Sequence, residues 1–260
     1  MRLFRLLLGI MAISVQRELA HRANLLFEAI LALFGAAAGL LALRLVYTQV
    51  EALAGWRLEE AIVLLGMFQL VSGLQATFVE PNLAWFANKV TSGELDDVLL
   101  KPVPSLFSAS LGVCQPWALL QVALGAAVVV AGVAPLGAQV TATGAASALL
   151  LLLEGAVIAW GARVLLASLA FWAPGVEPTV LYSAFWQLGR YPVDIYYPAV
   201  RILLTYLVPV AFISSIPART LTHGANMQLL AIGLGAALGA ALLAGAVWRQ
   251  GLRRYTSATS

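Results

Sequence analysis

Six long apolar segments, each of about 20 residues or more, constrain this chain more than any other feature of its sequence. An α-helix of about 20 residues rises about 30 Å, which matches the thickness of the hydrocarbon core of a bilayer. Only 10% of the residues are charged, whereas a soluble domain carries about 25%, so an ordinary soluble enzyme is excluded. We therefore predict an all-α, polytopic membrane protein with six transmembrane helices, at residues 23–46, 58–79, 105–133, 143–172, 193–213 and 227–247.

The first 22 residues differ from these six segments. Residues 6–15 are apolar, but a helix of this length rises only about 15 Å, half of the hydrocarbon core. A polar run follows at residues 16–22. We predict an amphipathic helix over residues 1–22 that lies at the membrane interface, followed by a single membrane domain over residues 23–260. The alternative is an uncleaved signal anchor that crosses the membrane.

The basic residues indicate the orientation, because cytoplasmic loops of membrane proteins are enriched in Lys and Arg. A cytoplasmic N-terminus places ten basic residues inside and only three outside, namely Arg44, Arg57 and Arg219. With six spans, the C-terminus then lies inside as well. The ten inner residues are Arg2, Arg5, Arg17, Arg22, Lys89, Lys101, Arg190, Arg249, Arg253 and Arg254.

The longest inner connection, residues 80–104, has a clear local pattern. Pro81 suits the first turn of a helix, and Gly93 divides the segment into two short helices. Thr91 and Glu94 have the spacing of a capping box. The apolar residues predict an amphipathic surface that covers lipid headgroups, the base of the bundle or another protein. They are Trp85, Phe86, Val90, Leu95, Val98 and Leu99.

Four of the charged residues within the predicted spans are candidates for a transport pathway. Glu154 and Arg163 lie nine residues apart in the fourth span, on opposite faces of the helix and about 13 Å apart. Each must find a partner elsewhere, snorkel or face water. Asp194 and Arg201 lie seven residues apart and share one face near the inner part of the fifth span.

Two patterns of small residues, at 35–39 and 235–239, predict close helix packing, either within the bundle or against a second subunit.

The sequence indicates no catalytic, cofactor or metal site in this chain. It has two histidines and one cysteine, and none has neighbours typical of a nucleophilic or metal site. The phosphate-binding pattern Gly-x4-Gly-Lys-Ser/Thr is absent from the sequence, so the chain does not itself bind ATP in a P-loop. The basic residues are scattered rather than clustered, so no nucleic-acid partner is expected.

Two runs of residues resemble a known family. Residues 92–102, Ser-Gly-Glu-Leu-Asp-Asp-Val-Leu-Leu-Lys-Pro, resemble a cytoplasmic motif of ABC-2 exporter permeases, in which Gly-x-Leu-Asp precedes a leucine-rich turn and a basic residue before Pro. Residues 189–198, Gly-Arg-Tyr-Pro-Val-Asp-Ile-Tyr-Tyr-Pro, are similar to the fifth-span region of the same family, as are Pro209 and residues 214–218 downstream. With the predicted spans, the resemblance covers essentially the whole chain.

The resemblance implies a permease subunit that exports its substrate by alternating access. The short outer loops and the apolar interior favour a small amphipathic, drug-like or lipid-like compound. Segment 80–104 would form a coupling helix seated in a groove of a separate cytoplasmic ATPase subunit, expected in two copies, which binds ATP and Mg. The residues implied for this coupling are Trp85, Phe86, Glu94, Leu95, Asp96, Asp97, Leu99 and Lys101.

The resemblance also implies a second permease, either the same or a homologous chain, and a re-entrant segment at residues 214–226. The expected location is the bacterial cytoplasmic membrane, with lipid around the spans and both termini in the cytoplasm. Two alternatives remain open: an ion-driven secondary transporter that uses Glu154, Arg163 and Asp194, or a noncatalytic membrane-anchoring or assembly protein.

Overall fold

The computed structural model describes residues 2–20, 22–84, 86–176, 179–207 and 210–255, and the regular structure within these ranges is helical. The α-helices are α1 (Arg2–Leu19), α2 (Arg22–Tyr47), α3 (Leu58–Phe78), α4 (Glu80–Leu83), α5 (Phe86–Ser92), α6 (Leu95–Leu99), α7 (Ser105–Leu111), α8 (Leu119–Val133), α9 (Ala142–Ser168), α10 (Thr179–Leu188), α11 (Pro198–Ile202), α12 (Ser215–His223) and α13 (Met227–Arg254). Short 3-10 and π-helical turns join several of them.

Five stretches in the described ranges are long and apolar enough to cross a membrane: Leu25–Tyr47, Leu58–Phe78, Pro116–Gly137, Ala142–Phe171 and Met227–Arg254. They confirm long helices at the predicted spans 23–46, 58–79, 143–172 and 227–247. The predicted span 105–133 is wrong at its beginning, because α7 ends at Leu111 and the long stretch begins at Pro116. Proline has no backbone N–H, so it begins a helix more readily than it continues one.

The central helices α3 and α8 pack antiparallel along a seam of glycines. A Cβ atom placed on Gly66 would lie 2.7 Å from the backbone nitrogen of Val129, and one on Gly125 would lie 2.8 Å from that of Leu70. Two further glycines, at positions 73 and 132, make equally close approaches across the same pair. Glycine lets the backbones of membrane helices approach this closely. Of the five long stretches, α3 is the most buried.

The two predicted patterns of small residues do not form this seam. Gly35 has open space where a Cβ atom would lie, and Gly39 faces the side chain of Leu65 at 3.2 Å. Gly235 and Gly239 both face open space. The two glycines of the second pattern therefore face away from the bundle, whereas Ala237 between them is buried against α9.

The bundle has two ends, which we name after the residues that flank α3. The Arg57 end holds the start of α3 and the end of α12, where His223 Nε2 lies 3.4 Å from Glu60 Oε1. Helix α13 follows and runs back to the Glu80 end, where Trp248 packs against the ring at the start of α5. Both ends are held by contacts between elements that are distant in sequence.

The predicted fifth span, residues 193–213, is wrong. The backbone N–H of Val193 donates to Oγ of Ser215 (3.2 Å), so the two ends of the predicted span lie side by side. The segment between them breaks into α11, a π-helical turn at Leu203–Leu207 and a 3-10 turn. Several of its apolar residues pack into the core of the bundle, where Leu204 is fully buried, whereas Tyr197 and Ile202 are exposed. A buried hairpin and a membrane span have the same apolar composition, which explains the error.

Residues 179–194 run along the length of α3 instead. The start of α10 lies beside α4 at the Glu80 end. The indole of Trp186 donates to Oγ of Ser72 (3.0 Å) in α3. At the Arg57 end, the indole of Trp56 donates to Oδ2 of Asp194 (2.9 Å). The chain therefore passes from one end of the bundle to the other before the hairpin begins.

This path changes two predicted positions. The guanidinium of Arg190, predicted at the inner side, lies 5.6 Å from the ring centroid of Phe68, in the middle of α3. Asp194 and Arg201, predicted near the inner part of a span, lie at the Arg57 end, since Asp194 contacts Trp56. The prediction failed because the limits of the fifth span were misplaced.

Helices α1 and α2 lie at the periphery. The helix predicted within residues 1–22 is confirmed for Arg2–Leu19, although its position at a membrane interface stays a prediction. The carboxylate of Glu18 accepts a hydrogen bond from the backbone N–H of Trp117 (2.9 Å), which attaches α1 to the turn before α8. Leu43 packs α2 against α3, but most of the large apolar side chains of α2 are exposed, as suits contact with lipid or another subunit.

Candidate coupling surface and buried charges

The segment at the Glu80 end folds largely as its pattern predicts. Pro81 lies in the first turn of α4, and Gly93, at φ +80°, separates α5 from α6. A positive φ favours glycine, so this residue fixes the angle between the two helices. The predicted capping box is not formed. Thr91 lies inside α5, and its hydroxyl donates to the carbonyl oxygen of Ala87 (3.2 Å). No side chain caps the start of α6 at Glu94.

Asn82 fixes the segment to the body of the protein. Its amide nitrogen donates to the carbonyl oxygens of Phe78 and Val113, both at 2.8 Å. Its amide oxygen accepts from the backbone N–H of Val113 (2.9 Å). With the side chain 2% exposed, these bonds form where water does not compete, so α4 is held to both α3 and the end of α7.

The inner face of the segment is packed against the chain itself. The ring of Phe86 lies 5.6 Å from that of Phe171 and 5.3 Å from that of Trp248. Leu95 is fully buried in the same cluster. Two residues implied for contact with an ATPase, Phe86 and Leu95, are thus covered by this chain, and they position the segment rather than project from it.

The outer face presents acidic, apolar and basic side chains together. Its exposed residues are Glu94, Asp97, Leu99, Leu100 and Lys101, which we call the coupling ridge. The side chain of Leu100 is 83% exposed, the highest value of any large apolar residue of the described chain. Sequence reasoning missed Leu100 because the four-residue spacing of Leu95 and Leu99 drew attention to a single helical face.

Two other implied coupling residues have different positions. Trp85 lies outside the described residues. Asp96 is half-buried beside Tyr255 at the end of α13. Burial raises the pKa of Tyr255, and the Asp96 carboxylate raises it further, so the phenol stays neutral at physiological pH. Asp96 thus faces this chain more than its surroundings.

Lys89 links two helices of the segment to each other. Its Nζ donates to the carbonyl oxygen of Asn82 (3.1 Å). Burial lowers the pKa of Lys89, while the nearby Glu94 carboxylate acts in the opposite direction. The ammonium therefore links α5 to α4, which leaves Lys101 as the exposed cation of the ridge.

Arg163, one of the predicted intramembrane charges, pairs with Glu80 rather than with Glu154. Its guanidinium donates to Oε2 of Glu80 at 2.9 Å and lies 4.5 Å from the ring centroid of Tyr182. The Arg163 side chain is 2% exposed and that of Glu80 is 35% exposed. The pair connects α9 to α4, so the charge has a structural partner, and sequence reasoning missed Glu80 as that partner.

Glu154 lies in a narrow space between α9 and α13. A Cβ atom placed on Gly233 would collide with Oε2 of Glu154, so the glycine makes room for this carboxylate. That oxygen is buried and has no hydrogen-bond partner among the residues that the structure describes. Of the four predicted intramembrane charges, two keep a buried polar atom without a partner among the described residues: Glu154 at Oε2 and Arg163 at Nε.

Asp194 holds the hairpin closed at the Arg57 end. One carboxylate oxygen lies 3.4 Å from Arg201 and the other 3.2 Å from Arg219. The guanidinium of Arg219 also lies 4.9 Å from the ring centroid of Trp56. Asp194 and Arg201, which were expected to share a face, do pair, and the cluster joins both limbs of the hairpin to the loop before α3.

In the described parts of the chain, no three His, Cys, Asp or Glu side chains converge in a way that could hold a metal ion. A family model described as "ABC-2 family transporter protein" matches residues 33–259. No curated protein and no solved structure matches the chain. The family match covers every long apolar helix wholly or in large part, the coupling ridge and the hairpin.

Proposed function

The chain belongs to the ABC-2 family of transporter proteins, and we propose that it is the permease subunit of an exporter driven by a separate ATPase. In this proposal the Glu80 end faces the cytoplasm and the coupling ridge enters a groove on the ATPase subunit. The ATPase, present in two copies, binds ATP and Mg. A second permease, identical or homologous, completes the pathway.

The coupling ridge is the observation that carries this proposal. A leucine that is 83% exposed beside another exposed leucine is unfavourable in water, and a partner that covers both gains from removing them from solvent. The acidic and basic side chains around them supply charge complementarity, which sets the register of docking. Because the inner face is buried and Asn82 clamps the base, the ridge is a rigid projection rather than a loose loop.

The distribution of basic residues supports a cytoplasmic Glu80 end. After correction of the fifth span, the Arg57 end holds Arg44, Arg57, Arg201 and Arg219. Lys89, Lys101 and the three arginines near the end of α13 lie at the Glu80 end, as does Arg17, which precedes the Glu18 that binds Trp117. We propose that residues 179–194 make the sixth crossing and that α11 and α12 form a re-entrant hairpin, with both termini cytoplasmic.

The contacts of the segment support a route for mechanical coupling. Movement of the ridge would act on α13 through Phe86 and Trp248, and on α9 through the pair of Glu80 and Arg163. These helices carry the apolar bulk of the bundle, so nucleotide-driven motion of the ATPase would alternate access to a pathway between permeases. The apolar surroundings favour a small amphipathic, drug-like or lipid-like substrate.

The test is to purify the tagged chain from its native membrane in mild detergent, identify the proteins that accompany it and measure ATP hydrolysis. Wild-type protein should carry an ATPase in stoichiometric amount. The double variant Glu94→Lys, Asp97→Lys should lose the ATPase or uncouple its activity. The matched control is Glu51→Lys, an exposed carboxylate at the Arg57 end, which should retain both.

Recovery of the wild-type chain alone, without ATP hydrolysis, under conditions that preserve other ATPase-driven exporters would refute the proposal. Equal loss of the ATPase in the Glu51→Lys control would refute the assignment of the ridge.

A further inference from the structure

A groove of about 550 Å³ opens between α2, α3, α8 and the residues that follow α10. Its walls are mainly apolar, but four charged or amide side chains line it along its length. They are Glu28, Gln69, Gln121 and Arg190. A groove of this size accommodates a small amphiphile.

Arg190 places a positive charge deep in this groove. Its side chain is exposed to the groove, and its guanidinium lies 5.6 Å from the ring centroid of Phe68, in the middle of α3. Within the described ranges, Arg190 forms no ion pair with a carboxylate. A guanidinium at this depth is costly unless an anion or water compensates it.

Gln69 supplies a second, independent observation. It lies on α3 one residue after Phe68, it lines the groove and it is 8% exposed. Its buried Oε1 has no hydrogen-bond partner in the part of the chain that the structure describes. Such groups are normally satisfied, and an amide side chain both accepts and donates, so Gln69 suits a polar ligand atom next to an anion.

The far side of the groove fixes how a ligand would lie. Gly39 of α2 faces Leu65 of α3. Glu28 precedes Gly39 by eleven residues, and Arg190 lies beside Phe68, three residues past Leu65. The difference of eight residues corresponds to about 12 Å of helical rise, so Glu28 lies that much closer to the Glu80 end than Arg190 does. An anionic group is therefore repelled at the Glu28 end and attracted at the Arg190 end. Between them, the small residues of α2 leave an apolar wall against which a chain or ring system packs.

We propose that this groove binds an amphiphile whose anionic group pairs with Arg190, whose adjacent polar atom bonds to Gln69 and whose apolar part lies along α2. The inference rests on the proposed function, since it names the substrate class of the permease. The same chemistry is present in an exported amphiphile and in an anionic phospholipid of the membrane.

The test uses the purified full chain in nanodiscs of phosphatidylcholine, without nucleotide or ATPase. Two probes, 12-bromododecyl phosphate and 12-bromododecyltrimethylammonium, quench nearby indoles, and Trp117 lines the groove. The difference in quenching between the wild type and Trp117→Phe reports occupancy of the groove. We expect the phosphate probe to bind about tenfold to 100-fold more tightly than the cation, and Arg190→Gln to abolish this preference.

Three further variants keep the test decisive. Arg190→Lys should retain most of the preference, and Gln69→Leu should weaken binding of the phosphate probe alone. Arg249→Gln, an exposed arginine outside the groove, is the matched control and should change neither probe. If Arg190→Gln fails to fold, Gln69→Leu with Arg190→Lys still decides the question.

Equal affinity of the two probes in the wild type, or equal weakening by Arg249→Gln, would overturn the inference. Displacement of the phosphate probe by added phosphatidylglycerol would identify membrane lipid as the occupant, and lack of displacement would identify an exported compound. Loss of the ATPase with intact probe binding would refute only the proposed function. An intact ATPase complex without selective binding would refute only the groove assignment.

Discussion

Removal of the Glu80 carboxylate should destabilise the bundle more than removal of its partner, Arg163. The Arg163 side chain is 2% exposed, whereas that of Glu80 is 35% exposed. Glu80→Ala leaves a buried guanidinium without its anion, and loss of one partner of a buried pair costs about 3–5 kcal/mol. Because Glu80 is partly hydrated, the lower figure of about 3 kcal/mol applies.

Arg163→Met should cost only about 1.5 kcal/mol, the sum of one hydrogen bond and the contact with the ring of Tyr182. The remaining carboxylate of Glu80 can reach water, and methionine fills the buried space. The double variant should be no less stable than Glu80→Ala alone, because no charge is left unpaired. The double-mutant cycle should therefore give a coupling energy of at least about 1.5 kcal/mol.

The assay is equilibrium unfolding in mixed micelles of dodecyl maltoside and SDS, followed by tryptophan fluorescence. Glu51→Ala, which removes an exposed carboxylate at the Arg57 end, serves as the control and should change the free energy of unfolding by less than about 0.5 kcal/mol. Equal destabilisation by the two single variants, or a coupling energy below about 0.5 kcal/mol, would refute the structural role of the pair.

Three further predictions use the same assay. Gly125→Ala should cost about 1–3 kcal/mol, because the new methyl group meets the backbone of α3, whereas Gly235→Ala, with open space around it, should be neutral or slightly stabilising; equal effects would contradict the glycine seam. Burial raises the pKa of Glu18 above its ordinary value of 4.5, so its contribution to stability is complete below pH 4.5 and is lost as the pH rises through the folded-state pKa; Glu18→Gln should remove this part of the pH dependence, and an unchanged profile would contradict it. Trp56→Phe should cost about 1–2 kcal/mol, since it leaves Asp194 without the indole donor; a neutral effect would mean that the hairpin does not depend on this bond.

The local structure of the coupling segment could be predicted because its signals lie within a few residues. Gly93 marks a break between two helices, because glycine adopts the positive φ found there. Pro81 marks the start of a helix. Which face would be covered was not predictable. Leu95 is buried because residues distant in sequence, Phe171 among them, pack in the same cluster, whereas Leu100 lies outside that cluster and is exposed.

The errors in the predicted spans have the same origin. Hydropathy measures the transfer of a residue out of water, but it does not distinguish lipid from protein as the surroundings. Several described apolar residues of the segment 193–213 pack into the core shared by α3 and α9, so the segment has the hydropathy of a membrane span. The partner of Arg163 was missed for a related reason: Glu80 is 83 positions away in sequence, and only the packing of α4 on α9 brings the two together.

The glycine seam between α3 and α8 also determines how this bundle can deform. Sliding one helix along the other would drive backbone atoms into side chains, because Gly73 already fits within 2.8 Å of Val122 and Gly132 within 2.9 Å of Val63, measured from an added Cβ atom. The glycine seam therefore opposes sliding and favours movement of α3 and α8 as one rigid unit. In the proposed exporter, a push on the Glu80 end, which Asn82 ties to the end of α3, would therefore be transmitted to the Arg57 end by the two helices together.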